Sequence, residues 1–152
     1  MALQIFISYS TKDLPTVDFV KTMLAGTSVE VYVAEYDLSP GTSISPTIAA
    51  KIKTCDLFIV LWSANSRTSD WVQQEIGIAK GHGRQIIPVV LTPGLQPPAF
   101  ISDLKFLDVT KNPAAAFTWL RDNVVARASE KDKKDGVAIL ALGGALLWLF
   151  SR

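Results

Sequence analysis

Apolar and polar positions alternate along the chain in two rhythms. Short apolar runs rich in strand formers occur at Leu3–Ser8, Val29–Val33, Asp56–Leu61, Gln85–Leu91 and Phe106–Val109. Runs of this length, bounded by turn residues, predict strands. Between them the apolar residues take helical spacing. Val17, Val20, Met23 and Leu24 predict a helix over Leu14–Leu24, with Pro15 acceptable in its first turn and Gly26 ending it. Ile48, Ala49 and Ile52 predict a second helix over Ile44–Lys53. Val72, Ile76 and Ala79 predict a third, capped by Ser69, with Asp70 in the first turn where the helix dipole favours an acid. Phe117, Leu120, Val124 and Val125 mark a last helix, opened by Thr110 or Asn112. Loops are expected at Tyr9–Asp13, at Ala34–Ser43 with the turn signal Pro40-Gly41, at Ser63–Thr68, and over the proline-rich Thr92–Asp103. Pro88 argues that the fourth strand lies near an edge or carries a bulge. Strands alternating with helices predict a parallel sheet with helices on both faces.

Composition narrows the class. A chain of 152 residues, 49% of them hydrophobic, suits one domain with an ample core. The net charge of +1 removes any broad electrostatic case for nucleic acid. The single cysteine, Cys55, excludes an internal disulfide and suits a reducing compartment; at a helix-to-strand junction it reads as a packing residue. With no CxxC and one histidine, His82 in the turn Gly81-His82-Gly83, no metal site is expected. Leu3–Ser8 is too short for a signal peptide. There is no GxGxxG and no P-loop, so nucleotide binding cannot rest on a glycine fingerprint.

The helix after the third strand carries the candidate chemistry. In open α/β sheets, ligands bind outside the carboxyl ends of the strands. Glu75 lies in the second turn after such an end, and Trp71, four residues earlier, shares its helical face. These residues alone allow two readings. Either an aromatic ring and a carboxylate form a small-molecule site, or Glu75 is a solvated helix residue and Trp71 covers the core edge.

Several pieces in order resemble a TIR (Toll/interleukin-1 receptor) domain of the prokaryotic branch. Phe6-Ile7-Ser8-Tyr9-Ser10 with Asp13 is similar to the family's first strand and loop. Leu38-Ser39-Pro40-Gly41 resembles its BB loop, and Cys55-Asp56 through Trp62-Ser63 its third strand. Ser69-Asp70-Trp71-Val72-Gln73-Gln74-Glu75-Ile76 resembles the catalytic helix, and Ile86-Ile87-Pro88-Val89 the fourth strand. The resemblance spans roughly residues 2 to 127 and implies a flavodoxin-like fold, α/β, with five parallel strands in the order 2-1-3-4-5. One departure is Ala34, where many relatives carry an acid; Glu35 and Asp37 are nearby but out of register.

The resemblance implies an enzyme that cleaves the nicotinamide–ribose bond of NAD⁺, with NAD⁺ as substrate and no cofactor. The implied products are nicotinamide and ADP-ribose, linear or cyclised. The chemistry suits a single carboxylate. Most glycosidases need a second to protonate the leaving oxygen, whereas nicotinamide leaves as a neutral base from a cationic pyridinium. Glu75 matches the catalytic glutamate and Trp71 the aromatic one turn before it. Phe6, Ser8 and Tyr9 would border the nicotinamide and ribose, or serve as strand-end packing and loop polarity. Lys12 would meet a phosphate, or is a solvated loop lysine. In this family a neighbouring subunit often completes the site and the BB loop rearranges, so self-association is expected to switch activity on. Asp37, Leu38, Pro40 and Gly41 are the assembly residues so implied. The expected setting is prokaryotic immune defence or cell suicide. A non-catalytic TIR signalling scaffold is the alternative; a membrane-disrupting effector clustered through its TIR domain is another.

After residue 128 the composition changes. The TIR domain is expected over 1–128, a charged linker over 129–136, and an apolar helix over 137–150. As a helix that run spans about 21 Å, short of the ~30 Å hydrocarbon core. It is apolar all round, however, and Lys133, Lys134, Trp148 and Arg152 flank or end it as interfacial anchors would. A single-pass C-terminal anchor in membrane lipid is expected, with the TIR domain on the cytoplasmic face of the cell membrane. Self-assembly of the helix in water, or packing against the domain, is the alternative.

Overall fold

The computed structural model of the protein describes residues 2–34, 41, 43–133 and 150–151. Five strands pair in parallel: β1 (Leu3–Ser8), β2 (Val29–Val33), β3 (Leu57–Trp62), β4 (Ile86–Val90) and β5 (Phe106–Asp108). Their order is β2-β1-β3-β4-β5, as the family resemblance implies. All six residues of β3 and all five of β4 are buried. That is why these segments read as unbroken apolar runs: a parallel strand covered on both faces has no solvent side to make polar.

Each face of the sheet has its own core. On one face α1 (Leu14–Leu24) and α5 (Pro113–Lys133) pack Val17, Val20, Leu24, Leu120 and Val124 against Leu3, Ile5, Ile7, Ile59 and Leu61. On the other, α2 (Pro46–Thr54) and α4 (Asp70–Gly81) pack Ile48, Ile52, Val72 and Ile76 against Phe6, Phe58, Val60 and Trp62. A short helix, α3 (Ala64–Arg67), occupies the stretch expected as a loop. Its signal is a reciprocal cap: the Ser63 hydroxyl accepts from the Ser66 N–H, and the Ser66 hydroxyl accepts from the Ser63 N–H. α2 begins at Pro46 rather than Ile44, because the Ser45 hydroxyl accepts from the Ile48 N–H at 3.1 Å and Pro46 needs no donor in the first turn.

Pro88 lies in neither an edge strand nor a bulge. It pairs in register with Val60, and β4 sits between β3 and β5. Odd-numbered residues here bond toward β3, as the Leu91 N–H to Trp62 carbonyl bond shows. Val90 bonds the other way, its carbonyl accepting from the Val109 N–H. Pro88 therefore turns its donorless nitrogen toward β5, whose pairing begins only at Val89↔Leu107. The missing donor costs no ladder bond.

The C-terminal part departs most from expectation. Residues 129–133, expected as linker, are the last turns of α5. Their charges have partners: Lys131 Nζ donates to Asp56 Oδ2 at 2.5 Å, and the Ser28 hydroxyl donates to Asp132 Oδ2 at 2.7 Å. Phe150, expected to end an apolar helix, instead lies in a two-residue strand, β6 (Phe150–Ser151), antiparallel to β5. An exposed strand edge offers unpaired backbone groups that an extended segment can satisfy. The rest of the expected anchor, 137–149, lies outside the described residues. Among the described residues no helix is long and apolar enough to cross a membrane.

Candidate active site

Alternation along β1 decides what its carboxyl end presents. Leu3, Ile5, Ile7 and Tyr9 join the core under α1 and α5. Phe6 joins the core under α2 and α4, and Ser8, two residues on, points the same way. In α4, Val72, Ile76 and Ala79 pack on the sheet, and Glu75 falls within this inward stripe. Ser69 sets the start of the helix, its hydroxyl accepting from the Val72 N–H at 3.4 Å. The two elements meet at a hydrogen bond: the Ser8 hydroxyl donates to Glu75 Oε1 at 2.6 Å across 67 residues of sequence. That length is typical of a hydroxyl bound to a carboxylate. Both residues are 0% exposed.

Burying a carboxylate is costly, and the hydrogen bond from Ser8 offsets part of that cost. Around it the packing is firm. Phe6 stacks between Tyr32 and Phe58, with 5.5 Å between ring centroids on each side. This aromatic row crosses three strands in register, β2, β1 and β3, and floors the Ser8–Glu75 junction. Little water reaches such a site, so a cation formed beside Glu75 would feel the carboxylate far more strongly than in bulk solvent.

The expected site residues divide three ways. Ser8 and Glu75 come together, with Phe6 beneath them as floor. Trp71 is half-buried in the first turn of α4, one turn before Glu75. Lys12 is exposed in a short 3₁₀ turn, Thr11–Asp13. Tyr9, expected at the border of the site, is turned to the opposite face. Its ring packs with Ile5 and Ile7, and its hydroxyl donates to the Ala34 carbonyl at 2.7 Å. The period of two places it there: a residue next to Ser8 in an extended chain cannot share its side. Of the implied assembly residues, Asp37, Leu38 and Pro40 lie outside the described residues. Gly41 has φ +84°, a left-handed conformation that a side chain would strain.

Asp13 carries a role that spacing could not reveal. Its Oδ2 accepts from the Ser63 hydroxyl at 2.5 Å and its Oδ1 from Asn65 Nδ2 at 3.1 Å. These partners are fifty and more residues away, in the connection after β3. Among the described residues, no group of three or more His, Cys, Asp or Glu side chains is placed to hold a metal ion. Cys55 is buried at the start of β3; burial pushes its thiol up to about 11, and its Sγ–H donates to the Ile52 carbonyl at 3.1 Å.

Comparison with known proteins places this geometry. The family profile described as TIR domain matches residues 5–121, more than half of the chain. The TIR domain of the Toll-related receptor TRR-2 from Hydra magnipapillata superposes with a TM-score of 0.61 at 20% identity, covering 86% of this chain and 98% of that one. A prokaryotic SEFIR domain superposes with a TM-score of 0.60 at 17% identity, covering 81% and 92%. The TIR domains of the activated Roq1 resistosome, which recognises the pathogen effector XopQ, give 0.52 at 20% identity, covering 87% and 76%. At these identities the likeness is one of fold. A search of curated proteins finds no significant match.

Proposed function

The chain belongs to the TIR domain family, and from that premise we propose that it hydrolyses the bond between nicotinamide and ribose in NAD⁺. The observation that carries this reading is the buried Ser8–Glu75 pair at the carboxyl end of β1. It combines one carboxylate, one hydroxyl and an apolar floor where the fold class binds its ligands. A scaffold that only self-associates has no need of a buried acid at that point.

The nicotinamide ring of NAD⁺ is already cationic. When the C–N bond breaks, the electron pair goes to the ring, nicotinamide leaves neutral, and positive charge builds on the ribose. Glu75 stabilises that charge and orients the ribose hydroxyls. Ser8 holds one carboxylate oxygen, which leaves the group a single rotamer from which to act. Water then adds to the ribose carbon and releases a proton, giving ADP-ribose. Lys12, exposed four residues after Ser8, is available to the diphosphate. Trp71 offers a ring face to the nicotinamide from one turn before Glu75.

Because Glu75 is fully buried, substrate must displace whatever covers it. The family resemblance assigns that movement to the loop that follows Ala34, triggered by self-association. Activity should therefore rise with protein concentration or with forced clustering.

The test is NAD⁺ loss and nicotinamide release by the wild-type chain and by Glu75→Gln, both under forced clustering. The variant should fall by about 100-fold or more while keeping its fold, as expected when a group that meets transition-state charge is neutralised. Equal turnover by the folded variant would remove Glu75 from the chemistry. No turnover by the clustered wild type would favour a signalling scaffold.

A further inference from the structure

The hydrogen bonds around Asp13 close a ring through the molecule. From Ser8 the chain runs through Ser10, whose hydroxyl accepts from the Lys12 N–H at 3.3 Å and caps the turn Thr11–Asp13. Asp13 then accepts from Ser63 and Asn65. Ser63 also caps α3, the Ser66 hydroxyl donates to the Leu61 carbonyl at 2.5 Å, and the Ser69 N–H donates to the Ser66 carbonyl at 2.9 Å. Ser69 caps α4, which carries Glu75, and Glu75 accepts from Ser8. Ser63 and Ser66 are buried, at 4% and 0% exposure. Asp13 fastens the turn after β1 to the connection after β3 through two side-chain hydrogen bonds.

We propose that Asp13 is a positioning residue that locks the Thr11–Asp13 turn, with Lys12 on it, at a fixed place beside the Ser8–Glu75 pair. Both of its oxygens are engaged by donors on a different element, so the turn has one seating rather than many. Ser8 and Glu75 do not depend on it: the sheet register holds Ser8, and the packing of Val72, Ile76 and Ala79 holds α4. Loosening the turn should therefore weaken the grip on substrate while leaving the bond-breaking step intact. The catalytic part of this proposal rests on the reading of the site as one for NAD⁺.

The experiment compares the full chain with Asp13→Ala, Asp13→Asn and Asn65→Ala by two measurements. Amide hydrogen exchange needs no substrate. In Asp13→Ala it should speed up by about tenfold for residues 10–13 and 63–67 together, with the rest of the sheet unchanged. Kinetics under forced clustering should show KM for NAD⁺ raised by about fivefold or more with kcat within about twofold. Asp13→Asn should restore both readings, because its side-chain carbonyl still accepts from the Ser63 hydroxyl while its amide donates to the Asn65 side-chain oxygen once that amide flips. Asn65→Ala, which removes one bond of the two, should fall between, and it decides the matter if Asp13→Ala does not fold. Unchanged exchange in both segments, or a fall in kcat with KM unmoved, would overturn the proposal. A wild-type chain that leaves NAD⁺ intact would overturn the reading of the site, and the exchange measurement alone would then decide the clamp.

Discussion

The two faces of the sheet are built from the same strands yet come to different ends. Under α1 and α5 the core is mostly aliphatic, with the Tyr9 and Trp119 rings among it, and its rim is open. A groove of about 580 Å³ runs between the two helices, lined by Pro15, Phe19, Met23 and Phe117 among others. Phe19 is 53% exposed there and meets Phe117 edge-on at 4.9 Å. Under α2 and α4 the core sets the stacked rings of Phe6 and Phe58 among aliphatic residues, it is sealed, and an acid lies inside it. One face thus leaves a large apolar side chain in water, and the other takes a carboxylate out of water. Neither costs little: burying a carboxylate is expensive, and an exposed ring forgoes burial worth about 1.5–3 kcal/mol. The sealed face buries a carboxylate beside which a cation would be stabilised; among the described residues, those lining the groove on the open face include no acid.

High pH should break the comparison most widely, because the one cysteine belongs to the sealed face. Burial raises the Cys55 thiol from 9.0 to about 11. Below pH 9 the thiol is protonated whether the chain is folded or not, and it contributes nothing to pH dependence. Between 9 and 11 the unfolded chain gives up this proton and the folded one keeps it, so stability falls as pH rises, by at most about 3 kcal/mol. Urea unfolding at pH 8 and pH 11 should show that loss in wild type, and a smaller one in Cys55→Ala. An equal loss in both would mean that the thiol titrates normally in the fold. Ser8→Ala sharpens the contrast within the sealed face. It removes one donor from Glu75, and nicotinamide release should drop by about tenfold, less than for neutralising Glu75 itself. A Ser8→Ala chain as slow as Glu75→Gln would give the hydroxyl a direct part in the chemistry. The smallest effect belongs to the open face. Phe19→Ser loses an edge-to-face contact in partial solvent, about 0.5–1 kcal/mol of stability by urea unfolding. A loss of several kcal/mol would show that the groove is part of the core after all.

Much of the candidate site was legible, by two routes. Short apolar runs placed the strands, helical spacing placed α1 and α4, and the Ser69 cap fixed where α4 begins. Glu75 stood out through its place after the third strand and through the family resemblance; its own residue type was compatible with a solvated position. What failed did so for local reasons. Tyr9 lies beside Ser8 in sequence, but alternation sends it to the other side. Pro88 argued for a place near an edge or a bulge. There is no bulge at its pairing with Val60, and β4 tolerates it because only alternate residues donate to a given neighbour and pairing with β5 starts one residue later. The reciprocal Ser63–Ser66 cap was readable but short enough to pass for a loop. Phe150 was expected to end an apolar helix, whereas it pairs with the open edge of β5 as a strand.

From sequence alone came the alternation of strands and helices, the two-sided cores and the placement of Glu75 near the carboxyl ends of the strands. These follow from patterns a few residues long, which the chain carries wherever it goes. Only the tertiary structure decided that Glu75 is buried, that Ser8 is its donor, and that Asp13 ties the turn after β1 to Ser63 and Asn65. Those contacts join residues separated by 67, 50 and 52 positions. Nothing in local spacing selects such a partner. It is chosen by the register of two parallel strands and the rotation of one helix, which exist only once the sheet has formed.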